Sequence, residues 1–92
     1  MERILSPGGE GMKFIISPHT ERRTRERIPK EVLSLFVKGV AKAQTLQLAG
    51  DWALKVISRG KVLGYAVGNN RTWNTTLSPG QTPRGAVRVV KI

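Results

Sequence analysis

Ninety-two residues, 39% of them apolar, suffice for one modest core and exclude both a second core and a disordered chain. The absence of cysteine excludes disulfide staples and thiolate chemistry, and no apolar run reaches the ~18 residues that a membrane span needs. Sixteen Lys and Arg against six Asp and Glu leave a net charge of +10, an imbalance that points to a polyanion or an acidic protein as partner.

The chain opens with a segment, 1–11, that reads as a tail. Ser6-Pro7-Gly8-Gly9-Glu10-Gly11 has turn chemistry and no periodicity, and it breaks the N-terminus before a signal-like apolar stretch develops. A cytoplasmic protein is expected, with one domain over 12–92 and Met12 as an alternative start. Lys13-Phe14-Ile15-Ile16-Ser17 is short, apolar and β-branched, and predicts a strand. Ser17-Pro18 then supplies a cap and a first-turn proline for a polar helix from Pro18 to about Arg27. Pro29 starts a second helix with Val32, Leu33, Phe36, Val37 and Val40 on one face, and Gly39 is the expected terminator.

From Gln44 the periodicity is that of strands: Gln44–Leu48, Trp52–Ser58, Lys61–Val67, Arg71–Leu77 and Ala86–Ile92. Arg59-Gly60 and Gly68-Asn69-Asn70 mark tight turns, and Ser78–Gly85 is the one long loop. The expected fold is α+β: a short N-terminal strand, two helices, then a four- to five-stranded antiparallel sheet. One sheet face covers the second helix and the other is left for water or a ligand.

Charge is unevenly placed. From Trp52 to the end there are seven cations and no carboxylate, so this half is expected to present one positive surface. Lys55, Lys61, Arg71, Arg84 and Arg88 interleave there with Tyr65 and Trp73, as a nucleic-acid surface combines phosphate contacts with base stacking. Trp52 reads as core, Tyr65 as either core or site, and Trp73, among polar neighbours, as exposed or half-buried. Thr76 reads as a phosphate contact or as an ordinary strand residue.

The first helix carries the second constellation. Its spacing sets His19, Arg23 and Arg27 on one stripe beside Arg22 and Glu26. An imidazole among guanidiniums suits RNA cleavage without a metal: His19 moves the proton while Arg23 and Arg27 hold phosphate. The same residues also read as an ion-pair lattice that pins the helix to the sheet. Lone His19 and scattered carboxylates build no standard metal site, and no cofactor motif occurs.

These features resemble a small bacterial and phage family that opens with a strand and then His-x-x-x-Arg-x-x-Glu-Arg. It is similar to the RelE, barnase, EndoU and colicin ribonuclease fold group. His19, Arg23, Glu26, Arg27, Ile28 and Val32 match the pattern, as does Gly39, within residues 13–77. Arg27 runs straight into Ile28, where the family has an intervening Gly. The resemblance implies a RelE-like fold and a metal-independent endoribonuclease of toxin type. Its catalytic group would be His19, Arg23, Arg27 and Tyr65, with Arg22 and the sheet cations binding RNA in preference to DNA, and an acidic antitoxin or host protein as a second partner. A non-catalytic nucleic-acid module, or a regulator that docks on an acidic host protein, fits the charge equally.

Overall fold

The computed structural model describes residues 14–46 and 48–92. The expected tail at 1–11, the alternative start and Lys13 lie outside the described residues. In chain order the elements are β1 (Ile15–Ile16), α1 (Pro18–Arg27), a 3-10 turn (Lys30–Val32), α2 (Leu33–Lys42), a second 3-10 turn (Ala43–Leu46), β2 (Asp51–Ser58), β3 (Lys61–Asn69), β4 (Thr72–Leu77) and β5 (Arg88–Lys91). The architecture is α+β, two helices and one five-stranded sheet of order β1-β4-β3-β2-β5.

The sheet is mixed, which corrects the antiparallel expectation. β2, β3 and β4 form an antiparallel meander, but β1 lies parallel to β4 and β5 parallel to β2. The cause is the length of the flanking connections. β1 is followed by two helices before β2, and ten residues separate β4 from β5, so each outer strand joins by a crossover rather than a hairpin.

One face of the sheet carries both helices. Trp52, Leu54 and Val56 of β2, Leu63 and Ala66 of β3, Trp73 of β4 and Val90 of β5 pack against Ile28 and against Phe36, Val37 and Val40 of α2. Phe14 stacks on Trp52 with ring centroids 5.1 Å apart, and Phe36 meets Trp73 at 6.1 Å. Every apolar residue of the second-helix stripe therefore faces the sheet, as its spacing predicts.

Two local expectations fail for tertiary reasons. Gly39 does not end α2, which runs to Lys42. Gly39 is buried where the helix presses on β2, and a Cβ there would stand 2.6 Å from Val56 Cγ1. The glycine serves close packing rather than termination. The strand expected over 44–48 does not form at 44–46, where the helix tightens into the second 3-10 turn and leaves Leu46 at the surface; residue 47 lies outside the described residues.

The other sheet face is crossed by residues 78–87. β4 and β5 run in the same direction with β3 and β2 between them, and both helices occupy the opposite face. The connection therefore passes over the helix-free side. Pro83, Arg84, Gly85 and Ala86 line a hollow there with Ala53, Val67, Thr75 and Leu77.

Candidate nucleic-acid interface

Helix α1 is polar on every side, so hydrophobic burial cannot hold it. Ser17 caps it, accepting from the Thr20 amide at 3.2 Å, and Pro18 occupies the first turn. Beyond the two-residue β1, the outer edge of β4 has no strand neighbour, and the helix side chains satisfy it instead. The Thr20 hydroxyl lies 3.0 Å from the Trp73 carbonyl and 2.7 Å from that of Asn74, and the Arg27 guanidinium donates to the Thr76 carbonyl at 3.0 Å. Thr24 donates to the Thr20 carbonyl at 2.8 Å, which makes Thr76 the donor in the 2.7 Å bond between the Thr24 and Thr76 hydroxyls. Thr20, Thr24 and Thr76 are fully buried, so Thr76 is a structural residue and not a phosphate contact.

This arrangement fixes what α1 shows to solvent. Thr20, Glu21 and Thr24 turn inward, while His19, Arg22, Arg25 and Glu26 are exposed and Arg23 is half-buried. Arg23 donates to Glu26 at 3.0 Å, an exposed pair of a kind that contributes only about 0.3–0.5 kcal/mol to stability. The expected stripe of His19, Arg23 and Arg27 is thus divided. Arg27 braces β4, Arg23 is paired within the helix, and His19 stands at the surface.

Tyr65 does not join them. It lies directly opposite Lys55 in the β2–β3 register, and β2 residues of that parity face away from the helices. Tyr65 is 6% exposed, and no hydrogen bond of its hydroxyl occurs among the described residues. The four residues expected to form a catalytic group therefore lie on two sides of the sheet.

Trp73 corrects a second expectation. Its neighbours Thr72 and Asn74 are exposed, but Trp73 itself is 1% exposed, packed on Phe36, and its indole N–H donates to the Thr75 carbonyl at 2.9 Å. A bulge in β4 at Asn74, which is skipped where Val67 pairs with Thr75 and Gly68 with Trp73, puts Trp73 on the same side as Thr76, facing the helices. With Trp73 buried, all five aromatic residues of the chain are interior, and none offers a platform on which a base could stack.

The cations of the second half do not share one face, contrary to expectation. Lys55 and Lys91 look out from the helix-free side, and Arg84 of the crossing segment lines a hollow on that side with Ala53 and Val67. Arg88 shares the side of core residue Val90, and its guanidinium reaches the Leu46 carbonyl at 3.4 Å. Lys61 and Arg59 stand at the β2–β3 hairpin, and Arg71 at the β3–β4 turn. The densest positive surface is instead on α1, where Arg22, Arg23, Arg25 and Arg27 fall within six residues.

Threonines four apart on an otherwise charged helix are the signal that sequence reasoning passed over: Thr20 and Thr24 mark its buried side. Among the described residues no three His, Cys, Asp or Glu side chains gather as a metal site, and no helix is long and apolar enough to cross a membrane. No family model, curated protein or solved structure matches the chain.

Proposed function

We propose that this chain is a cytoplasmic RNA-directed protein that acts through phosphate charge, with the outward face of α1 as its contact surface. The observation that carries the reading is the division of that helix. Its hydroxyls and Arg27 go to β4, and Arg22 and Arg25 are held out to solvent, with Arg23 and the exposed Lys30 near them in the chain. A rigid helix bolted to a sheet presents these charges at fixed spacing, which favours the regular phosphate array of a duplex over a flexible strand. The burial of every aromatic supports the same choice, since single-strand recognition leans on stacking. RNA rather than DNA rests on the resemblance of the His19–Arg27 segment to the ribonuclease fold group. The same resemblance implies cleavage by His19, but we propose binding alone, since among the described residues no second proton-moving group converges on that imidazole.

The test is the salt dependence of binding to a short duplex RNA. Three to four phosphate contacts give a loss of roughly 40- to 150-fold in affinity between about 50 and about 200 mM salt. Replacing Arg22 and Arg25 by Gln should lower the slope of the log–log plot by about two units at unchanged melting temperature. A slope that ignores both substitutions removes α1 from the interface. Equal binding of duplex DNA would keep the surface and remove the preference.

A further inference from the structure

Two hollows adjoin between the start of α2 and the β2–β3 hairpin. One, of about 430 Å³, is lined by Pro29, Glu31, Val32, Lys61, Leu63 and Pro79 among others. The second, of about 530 Å³, shares Val32, Lys61 and Leu63 and adds Leu35, Arg59 and Ile92. Together they make one groove with an apolar floor. Leu35 is 40% exposed on it, one of few large apolar side chains left so open.

Its rim is cationic. Arg59 and Lys61 stand on the hairpin side, and Glu31 is the one acidic side chain among the lining residues. The position of Arg59 is informative in itself. Ser58 pairs with Lys61 across a two-residue turn, and Arg59 takes φ 53 followed by Gly60 at φ 76. Hairpins of this kind favour Asn, Asp or Gly at the first turn position: at positive φ a Cβ crowds the backbone carbonyl, Gly has none, and Asn and Asp offset it by local hydrogen bonds. Arg59 thus takes a conformation its side chain does not favour, and it stands exposed at the groove's rim.

We infer that this groove docks a short segment of a partner protein that carries aliphatic side chains and carboxylates. The floor takes the aliphatic groups and the Arg59–Lys61 rim takes the acids. Phosphate alone does not suit it, since Val32, Leu35, Leu63 and Ile92 offer a nucleic-acid backbone nothing to bond. The inference is independent of RNA binding on α1, and the two surfaces can be tested apart.

The probe is a fluorescently labelled synthetic peptide that alternates leucine and glutamate, read by anisotropy against the full chain. It should bind, and its counterpart with lysine for glutamate should not. Leu35→Ser and Arg59→Gly should each weaken binding about tenfold. Glycine accepts the turn conformation, so Arg59→Gly should not lower the melting temperature; a purely structural arginine would. Neither variant should change duplex RNA affinity, and Arg22→Gln with Arg25→Gln should leave peptide binding intact. Peptide affinity that ignores both groove variants overturns the proposal. A loss of RNA affinity in Arg59→Gly equal to the peptide loss would make the rim part of the RNA surface and also overturn it. Concentration-dependent dimerisation that Leu35→Ser abolishes would give the groove to a second copy of the chain, and so refute a foreign segment.

Discussion

The hydroxyls of Thr24 and Thr76, 52 positions apart in the chain, meet at 2.7 Å in the buried layer between α1 and β4. Thr24 passes its own proton to the Thr20 carbonyl, so Thr76 has Thr24 as its acceptor. Thr24→Val keeps the shape and orphans the Thr76 hydroxyl, at an expected cost of about 1–3 kcal/mol in urea unfolding. Thr76→Val added to it removes the orphan and should recover much of the loss. Additive costs in the double variant would show that the two hydroxyls act separately.

Gly39 and Val56 make a similar pair across α2 and β2. Gly39→Ala gains helix propensity of up to about 1 kcal/mol but drives a methyl to 2.6 Å from the fully buried, branched Val56. Overpacking of that kind costs about 1–3 kcal/mol, so the net effect is destabilising. In a Val56→Ala background the methyl has room, and Gly39→Ala should then stabilise. Thermal unfolding of the four variants decides it; a gain from Gly39→Ala alone would mean that the helix shifts freely on the sheet.

The contrast between these pairs marks how far the sequence could be read. The α2 stripe, the Ser17 cap and the β2–β3–β4 meander follow from spacing, capping and turn chemistry, all local. Gly39 misleads because a glycine late in a helix looks the same whether it ends the helix or admits a neighbouring strand. Strand direction at β1 and β5 depends on how long connections cross the sheet, which no window of residues records. Trp73 misleads through its polar neighbours: strict alternation cannot send both it and Thr76 inward, and the bulge at Asn74 that lets both face the helices depends on pairing with β3. The arginines of α1 were legible as charge, but which of them is free depended on the unpaired edge of β4. The positive φ of Arg59 follows from a two-residue loop between paired strands, a signal present in the chain but given to Gly60 alone.

Burial of both tryptophans predicts a spectroscopic result. Trp52 is 6% and Trp73 1% exposed, so emission should be blue-shifted in the free protein. Duplex RNA held by phosphate contacts on α1 should leave both its position and its intensity unchanged at saturation. Strong quenching on RNA binding would instead mean that a base reaches an indole, which requires β4 or β2 to open.

Cleavage is the sharpest point on which the ribonuclease resemblance can be judged. Metal-independent scission needs one group to take the proton of the 2′-hydroxyl and another to protonate the leaving oxygen. His19 is exposed at the start of α1; Glu26, two turns further along the same face, is engaged with Arg23, and Tyr65 lies on the far side of the sheet. Among the described residues this spacing supplies one proton-moving group with no second one converging on it. In EDTA the pure chain is therefore expected to leave total RNA intact, with His19→Ala indistinguishable from the parent. Fragments ending in 2′,3′-cyclic phosphate that appear with the parent and vanish with His19→Ala would reverse this. They would make Glu26 the next residue to replace, since releasing it from Arg23 is the shortest route to a second proton carrier beside His19.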